Sequence, residues 1–455
     1  MKNVISTKKE NGITHKTIRA YKEKKVCLCC GSKRLRKIVD LGNQPLANSF
    51  HTKSQSLQTF PLQVNFCENC SHFQLSHIVN PDYLFKNYLY VSGTTKTLKD
   101  FFEEIANDIM WHYHIYQFEY GFLQPFSKKS EDEFPYDYVT DKVKEGREMS
   151  ILDIACNDGS QLDAFKKLGL KTYGVDPAKN LVEISRKNHS VVCGYFDGNS
   201  FKGKTFDIIT AQNVFAHVEN PLKFLRNADR VLSKNGLLFI QVSQSSMFKN
   251  TEFDTVYHEH ISYFTTKSMA ELVKRANMNL LSVEELDIHG GSKLFVIGKK
   301  NATKLADAKS LVNTYELVLE ESKDYPIYSH ELENYQKNVN KICDKTLAKL
   351  EKYKSEGYEI YCYGAAAKGM TFLNYLKPKG IKAVIDDNPL KVGLLTPGTN
   401  IQVKSIDEIK NSKAEKIVFL VLAWNFASEI KNRIRKVRDT KNDKFLYAFT
   451  KSQRN

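Results

Sequence analysis

Apolar and polar positions change period several times along the chain. Ile151–Ala155 is a short apolar run of buried-strand type, and Leu162, Phe165 and Leu168 recur at the spacing of one helix face. A turn of small residues (Ala155, Asn157, Gly159) separates them, and a second strand-like run ends at Asp176. Further strands are predicted at Phe206–Ala211, Leu237–Val242, Leu280–Leu286 and Lys293–Gly298. The last two flank His289-Gly290-Gly291-Ser292, a hairpin signal that makes the final strand antiparallel. Residues 150–300 therefore read as an α/β, doubly wound sheet.

The flanking regions have other patterns. Residues 26–80 read as a small unit of short strands. Residues 81–149 read as a helical connection, rich in aromatics up to Tyr120, followed by a Pro-, Ser- and charge-bearing insertion. Helical spacing of Leu and Tyr over 301–355 predicts bridging helices. Over 356–455 a second α/β unit is predicted: strand Glu359–Tyr363, turn Gly364–Lys368, helix to Tyr375, then strands Lys382–Ile385 and Lys416–Ala423. Residues 1–25, basic and polar, read as a disordered tail with no apolar signal region.

Asp176 stands where a carboxylate can accept hydrogen bonds from both ribose hydroxyls of a nucleoside cofactor. Ala155 and Asn157 replace two glycines that a pyrophosphate would need for close backbone approach, which disfavours NAD. S-adenosylmethionine (SAM) has no phosphate and tolerates these residues. A βαβ unit without ligand would carry the same strands. The candidate cofactor set is Ala155, Asn157, Asp158, Asp176, Phe196, Gln212 and Asn213.

Four of the nine cysteines form two pairs, Cys27-x2-Cys30 and Cys67-x2-Cys70. Such knuckles each turn two thiolates toward one ion, so they predict one structural zinc held by Cys27, Cys30, Cys67 and Cys70, with no open coordination position. Cys29 is an extra thiol beside the first pair. The net charge of +15 is carried mainly by scattered lysines, which suit an anionic small substrate at least as well as nucleic acid. No apolar run reaches the length of a membrane span. The chain reads as cytoplasmic.

Two segments at the carboxyl edge of the predicted sheet carry candidate chemistry. Gln212-Asn213-Val-Phe-Ala-His217 follows one strand, and Tyr257-His258-Glu259-His260 follows the next after a loop. An imidazole can take a proton at neutral pH, so His260 is a candidate general base, with Tyr257 or Glu259 orienting it. A metal site at His258, Glu259 and His260 ranks lower, because adjacent positions of an extended segment point to opposite faces.

The motif order resembles the C-methyltransferases that act on nucleotide-linked deoxysugars. The matching segments are Cys27-x2-Cys30-Gly31, Leu41–Asn48, Phe60-Pro-Leu62 with Cys67-x2-Cys70, Tyr90-Val-Ser-Gly-Thr, Cys156-Asn-Asp-Gly159 and Asn213–His217. Tyr257–His260, His289–Ser292, Tyr363–Gly369, Asp387-Asn-Pro and Thr396–Thr399 complete the series. The resemblance implies a zinc-binding N-terminal domain, a class I SAM methyltransferase core and a Rossmann-like C-terminal domain, with the nucleotide sugar between the halves. It implies His260 as base, with Tyr90, His217, Tyr257 and Glu259 around the sugar. Cys29, Ser71 and the 121–149 segment depart from the family pattern and bear on substrate choice. The expected reaction is C-methylation beside a 4-keto group. O- or N-methylation of a nucleotide sugar, or a zinc-knuckle RNA-binding module, are the alternatives. No oligomeric state is implied.

Overall fold

The computed structural model describes residues 20–85, 96–118, 148–243, 247–286, 291–302 and 330–449, with Glu316, Val318 and Leu319. Its first strands are β1 (Tyr21–Glu23), β2 (Leu35–Pro45), β3 (Thr59–Cys67), β4 (Phe73–Leu75) and β5 (His77–Val79). In β3, Phe60, Leu62, Val64 and Phe66 all point inward, the period-two burial of a strand with one covered face. β2, β3 and β4 form an antiparallel sheet, and β1 pairs with β5.

The central sheet uses β6 (Ser150–Ile154), β7 (Lys171–Asp176), β8 (Ser190–Cys193), β9 (Phe206–Gln212) and β10 (Leu232–Ser243). The two-residue β11 (Ser262–Tyr263) follows, then β12 (Met278–Leu286) and β13 (Ser292–Lys299). The sheet is seven-stranded, with order β12-β13-β10-β9-β6-β7-β8. β6 to β10 run parallel, whereas β13 is inserted antiparallel between β10 and β12. This is the expected doubly wound sheet with its antiparallel end. Local capping starts its helices: Asn220 accepts from the Lys223 amide ahead of Pro221–Val231, and Thr265 and Ser268 form a capping box on Thr266–Arg275. Helix Lys96–Phe118 covers one face through Ile105, Ile109 and Met110.

One strand leaves this pattern. β11 pairs with β4 instead of joining the central sheet, so it extends the sheet of the zinc-ligand region. The loop that carries Tyr257–His260 is therefore sewn to the N-terminal part of the chain.

The last sheet contains β14 (Glu359–Tyr363), β15 (Ile381–Ile385), β16 (Val403–Lys404), β17 (Ile417–Val421) and β18 (Lys444–Leu446), all parallel, in the order β16-β15-β14-β17-β18. Helix Tyr335–Ser355 turns Tyr335, Val339, Cys343 and Leu350 inward. One apolar cluster runs from Val64 and Phe73 through Phe253, Val256 and Val339 to Met370 and Leu420. A second joins the zinc-ligand cysteines to Phe215, Leu225 and Leu272. The N-terminal and C-terminal sheets thus both pack on residues 247–263, which lie between β10 and β12 in the chain.

Gly174 in β7 shows how closely the first turn is packed on the second strand. A Cβ there would lie 2.6 Å from Cys156 Sγ, a buried atom with little room to retreat. Gly174→Ala should lower stability by about 1–3 kcal/mol, read as a fall in thermal midpoint.

Candidate active site and metal centre

The two cysteine pairs fold as matching knuckles. The Gly31 amide donates to the Cys27 carbonyl at 2.9 Å, and the Ser71 amide donates to the Cys67 carbonyl at 2.9 Å. Each knuckle then needs a left-handed residue, supplied by Gly31 (φ 76°) and Ser71 (φ 58°). Ser71, a departure in sequence, occupies the same backbone role as the glycine. The four ligand atoms lie within 4.8 Å of one another, with Cys27–Cys70 and Cys30–Cys67 sulfurs 3.6 Å apart. A tetrahedron of ~2.3 Å Zn–S bonds has edges of ~3.8 Å, so the set fits zinc. Contact with the Cys27 sulfur pushes the Cys67 thiol up to about 12 and Cys70 higher still. Several thiolates at this spacing need a cation between them. Cys29 is buried beside them but outside the set, and its carbonyl accepts from Arg275.

The turn after β6 has three left-handed residues, and they are the small ones: Ala155 (φ 62°), Asn157 (φ 52°) and Gly159 (φ 87°). This alternation aims the Asn157 amide at Asp176 Oδ2, 3.0 Å away, while the Ala178 amide donates to Oδ1 at 2.8 Å. Burial raises the Asp176 pKa, and these two bonds oppose the rise. Each carboxylate oxygen retains acceptor capacity for a ribose hydroxyl. Asp158 accepts from the Ser160 amide at 3.2 Å, just ahead of the helix capped by Gly159. On the neighbouring edge, both amide atoms of Gln212 and Oδ1 of Asn213 are buried without protein partners. Orphaned polar atoms beside a ribose-type carboxylate fit the amino-acid and nucleoside groups of SAM. Phe196 turns edge-on to Phe224 at 5.4 Å. The adjacent Tyr195, which the sequence reading passed over, is half exposed; desolvation raises its phenol, and the charges of Asp82 and Asp176 add to the rise.

The segment 257–260 is a turn and not an extended strand, because the His260 amide donates back to the Tyr257 carbonyl at 3.0 Å. The expected divergence of His258, Glu259 and His260 therefore has a different cause. His258 Nε2 meets the Phe60 carbonyl at 3.2 Å, Glu259 Oε1 accepts from Asn48 at 2.6 Å, and His260 Nε2 meets the Tyr257 hydroxyl at 2.6 Å. Among the described residues, only the four cysteines form a metal-ligand group. The His217 and His260 rings stand 5.1 Å apart. Burial lowers His217 to about 4 and, with His217 beside it, holds His260 well below the ordinary imidazole value. Both are neutral at pH 7. Tyr90 and His289 lie outside the described residues.

Two contributors escaped the sequence reading. Asn48 sits in the Leu41–Asn48 segment and reaches Glu259 across the fold. Lys391 is partly buried and donates to the Ala365 carbonyl at 2.9 Å; desolvation lowers its pKa, and the charges of Asp386 and Glu259 oppose that fall. Asp386 in turn repeats the geometry of Asp176: it ends the second strand of its sheet and accepts from the first-turn amide of Ala365 at 2.5 Å and from Asn388 at 2.9 Å.

Purified protein should contain about one zinc per chain, and Cys67→Ser should lose the metal and much of the fold's stability, as metal analysis and thermal melting would show. Asp176→Ala should weaken SAM binding roughly tenfold or more, measured by calorimetry. SAM binding unchanged by this substitution would move the ribose site elsewhere.

Comparison with known proteins places this geometry. A family model of a zinc binding domain matches residues 27–85, a methyltransferase domain matches 132–283, and a C-methyltransferase C-terminal domain matches 287–449. The chain is 24% identical to the C-methyltransferase NovU of Streptomyces niveus over 423 residues, 89% of this chain and 90% of that protein. A ubiquinone biosynthesis O-methyltransferase of Glaesserella parasuis is 29% identical over 115 residues, 23% of this chain and 49% of that protein. A solved SAM-dependent methyltransferase from Clostridium acetobutylicum aligns over 36% of this chain and 89% of that one, at 12% identity and a TM-score of 0.30. The three family models follow one another in the order zinc domain, methyltransferase domain, C-terminal domain, and the chain belongs to the SAM-dependent C-methyltransferases that carry an N-terminal zinc-binding domain.

Proposed function

We propose that the enzyme methylates carbon C3 of a nucleotide-linked 4-keto deoxysugar, with His260 as the general base. The observation that carries this reading is a neutral, buried imidazole beside the cofactor edge, with a phenol 2.6 Å from its Nε2. Methyl transfer to carbon needs such a base, because the C–H bond next to a ketone is only weakly acidic. When bound, SAM supplies an electrophilic methyl group on its sulfonium.

His260 Nε2 takes the C3 proton, and the electron pair of the C–H bond moves into the enolate. The Tyr257 hydroxyl, now on Nε2, would turn to the ketone oxygen. That movement frees the base and places a donor where negative charge develops. Glu259, fixed by Asn48, and His217 border the sugar; Tyr90 is assigned there by the family resemblance. Ala155, Asn157, Asp158, Asp176, Phe196, Gln212 and Asn213 would surround the cofactor. Asp386, with its repeat of the Asp176 geometry, and the partly buried Lys391 support a nucleotide on the C-terminal side. A cytoplasmic site of action follows from this substrate class, and among the described residues no helix is long and apolar enough to cross a membrane.

Incubation in deuterated water with thymidine diphosphate 4-keto-6-deoxyglucose and related keto-sugar nucleotides should exchange the C3 hydrogen. His260→Asn should abolish exchange and turnover while leaving SAM affinity nearly intact. An O-methyl product without carbon exchange would instead support hydroxyl methylation. Because the folded environment lowers the His260 pKa, the base form persists as pH falls through ~6.5, and the acid limb of kcat should lie below that value.

A further inference from the structure

On strand β10, Gln241 is completely buried, and neither its Nε2 nor its Oε1 meets a hydrogen-bond partner among the described residues. In the parallel pairing with β9 it stands directly opposite Gln212, whose two amide atoms are also buried and unpartnered. Both carboxamides therefore rise from the same face of the sheet, on neighbouring strands ~4.8 Å apart.

The rows beneath them are arranged differently. Leu237 stands opposite Ile208, and both belong to the apolar cluster under helix Lys96–Phe118. Phe239 stands opposite Thr210, whose hydroxyl donates to Asp153 at 2.7 Å. Polar groups in that row are satisfied inside the fold. In the next row, toward the carboxyl edge, the two amides are not. A buried amide without partners destabilises a fold, so packing does not account for it. The Gln241 backbone, by contrast, is engaged: its carbonyl accepts from the Asn213 amide at 3.0 Å, at the left-handed residue (φ 54°) that opens the turn to His217.

The sheet order shows which ligand this row serves. Asp176 ends β7, the small-residue turn follows β6 and Gln212 ends β9, so a cofactor with its ribose on Asp176 runs along β7, β6 and β9. β10 comes next, three strand spacings or about 14 Å from β7. The chain leaving β10 leads to Tyr257–His260. Gln241 is thus at the acceptor end of the site. A carboxamide is uncharged, with Nε2 as donor and Oε1 as acceptor. An anion or a ketone would answer Nε2 and leave Oε1 unpaired. A hydroxyl both donates and accepts, so one hydroxyl can bond Oε1 of one carboxamide and Nε2 of the other.

We propose that Gln241, beside Gln212, holds a ring hydroxyl of the acceptor sugar and is a specificity-determining residue of the enzyme. The proposal rests on the keto-sugar reading above and adds the group by which the acceptor is chosen. An acceptor lacking that hydroxyl leaves the amides buried and unpaired, and is rejected for that reason. The free enzyme carries the unpaired amide at a cost in stability.

The test uses the full chain and thymidine diphosphate 4-keto-6-deoxyglucose, with its 2-deoxy and 3-deoxy counterparts. Wild-type kcat/KM should be roughly tenfold or more lower for the counterpart that lacks the recognised hydroxyl. Gln241→Met, nearly isosteric, should reduce that preference to about twofold or less, mainly by raising KM for the hydroxylated acceptor, with SAM affinity within about twofold of wild type. Its thermal midpoint without ligands should rise, because a thioether replaces an orphaned amide. A lowered midpoint marks a structural role and overturns the proposal. If Gln241→Met fails to fold, Gln241→Leu carries the same measurements. A wild type that turns over all three acceptors equally leaves the amides to bound water and overturns the proposal, while the keto-sugar reading stands. An unchanged preference in the variant, or a loss of SAM affinity without a change in preference, has the same consequence. A wild type that exchanges no C3 hydrogen in any of the three overturns the keto-sugar reading and the proposal with it.

Discussion

Burial of the 247–263 segment is the constraint on which the arrangement depends. Phe253 is fully buried in an aromatic cluster formed by helix Ala367–Leu376 and Phe449, an insertion that stabilises by about 1.5–3 kcal/mol. Nine residues later, Ser262 and Tyr263 pair with β4 of the N-terminal sheet. Between these anchors the Ile261 amide donates to the Ala216 carbonyl at 2.8 Å, in the turn that carries His217, and the Leu75 amide donates to the Ile261 carbonyl at 2.8 Å. One short segment is therefore tied to the N-terminal, central and C-terminal sheets. Tyr257, Glu259 and His260 lie between the ties.

Desolvation follows from the same packing. His217, His258 and His260 are all lowered by burial, so none carries charge at neutral pH. Their chemistry is that of hydrogen-bond acceptors and bases. Their neighbours differ: His258 meets a backbone carbonyl and the Phe60 ring, whereas His260 meets a phenol. That difference separates an imidazole bonded to the backbone within the core from one bonded to a side-chain hydroxyl. Positive charge arrives separately, through Lys391 near Glu259 and Lys368 over Trp424.

Backbone conformation repeats a small set of solutions across the molecule. Both zinc knuckles use the same carbonyl-to-amide turn with a left-handed residue at its end. Asp176 and Asp386 each close the second strand of a parallel sheet and receive an amide from the first turn and one from two residues downstream. In each case the carboxylate stands at the carboxyl end of a strand and is held by backbone amides.

Much of this was legible from local pattern. The strand at Glu359–Tyr363 lies where its apolar run lies, and the small residues of the first turn are its left-handed positions, because period and steric size act on neighbouring residues. The cysteine pairs announced their knuckles through spacing alone. Other features depended on contacts that sequence order does not contain. A two-residue strand such as β11 has no period to read, and its partner β4 lies almost two hundred positions away. Tyr257–His260 seemed extended from its position after a strand, yet the backbone bond from His260 to Tyr257 folds it into a turn. Asn48 finds Glu259, and Trp424 finds Asp254, only once the units pack. The sequence by itself determined the longer strands, the set of paired cysteines and the small-residue turn after β6, since these follow from period, spacing and residue size. Only the tertiary structure decided which imidazole faces a phenol, which carboxylate meets an indole and which strand changes sheets, since those are contests among distant groups for the same buried space.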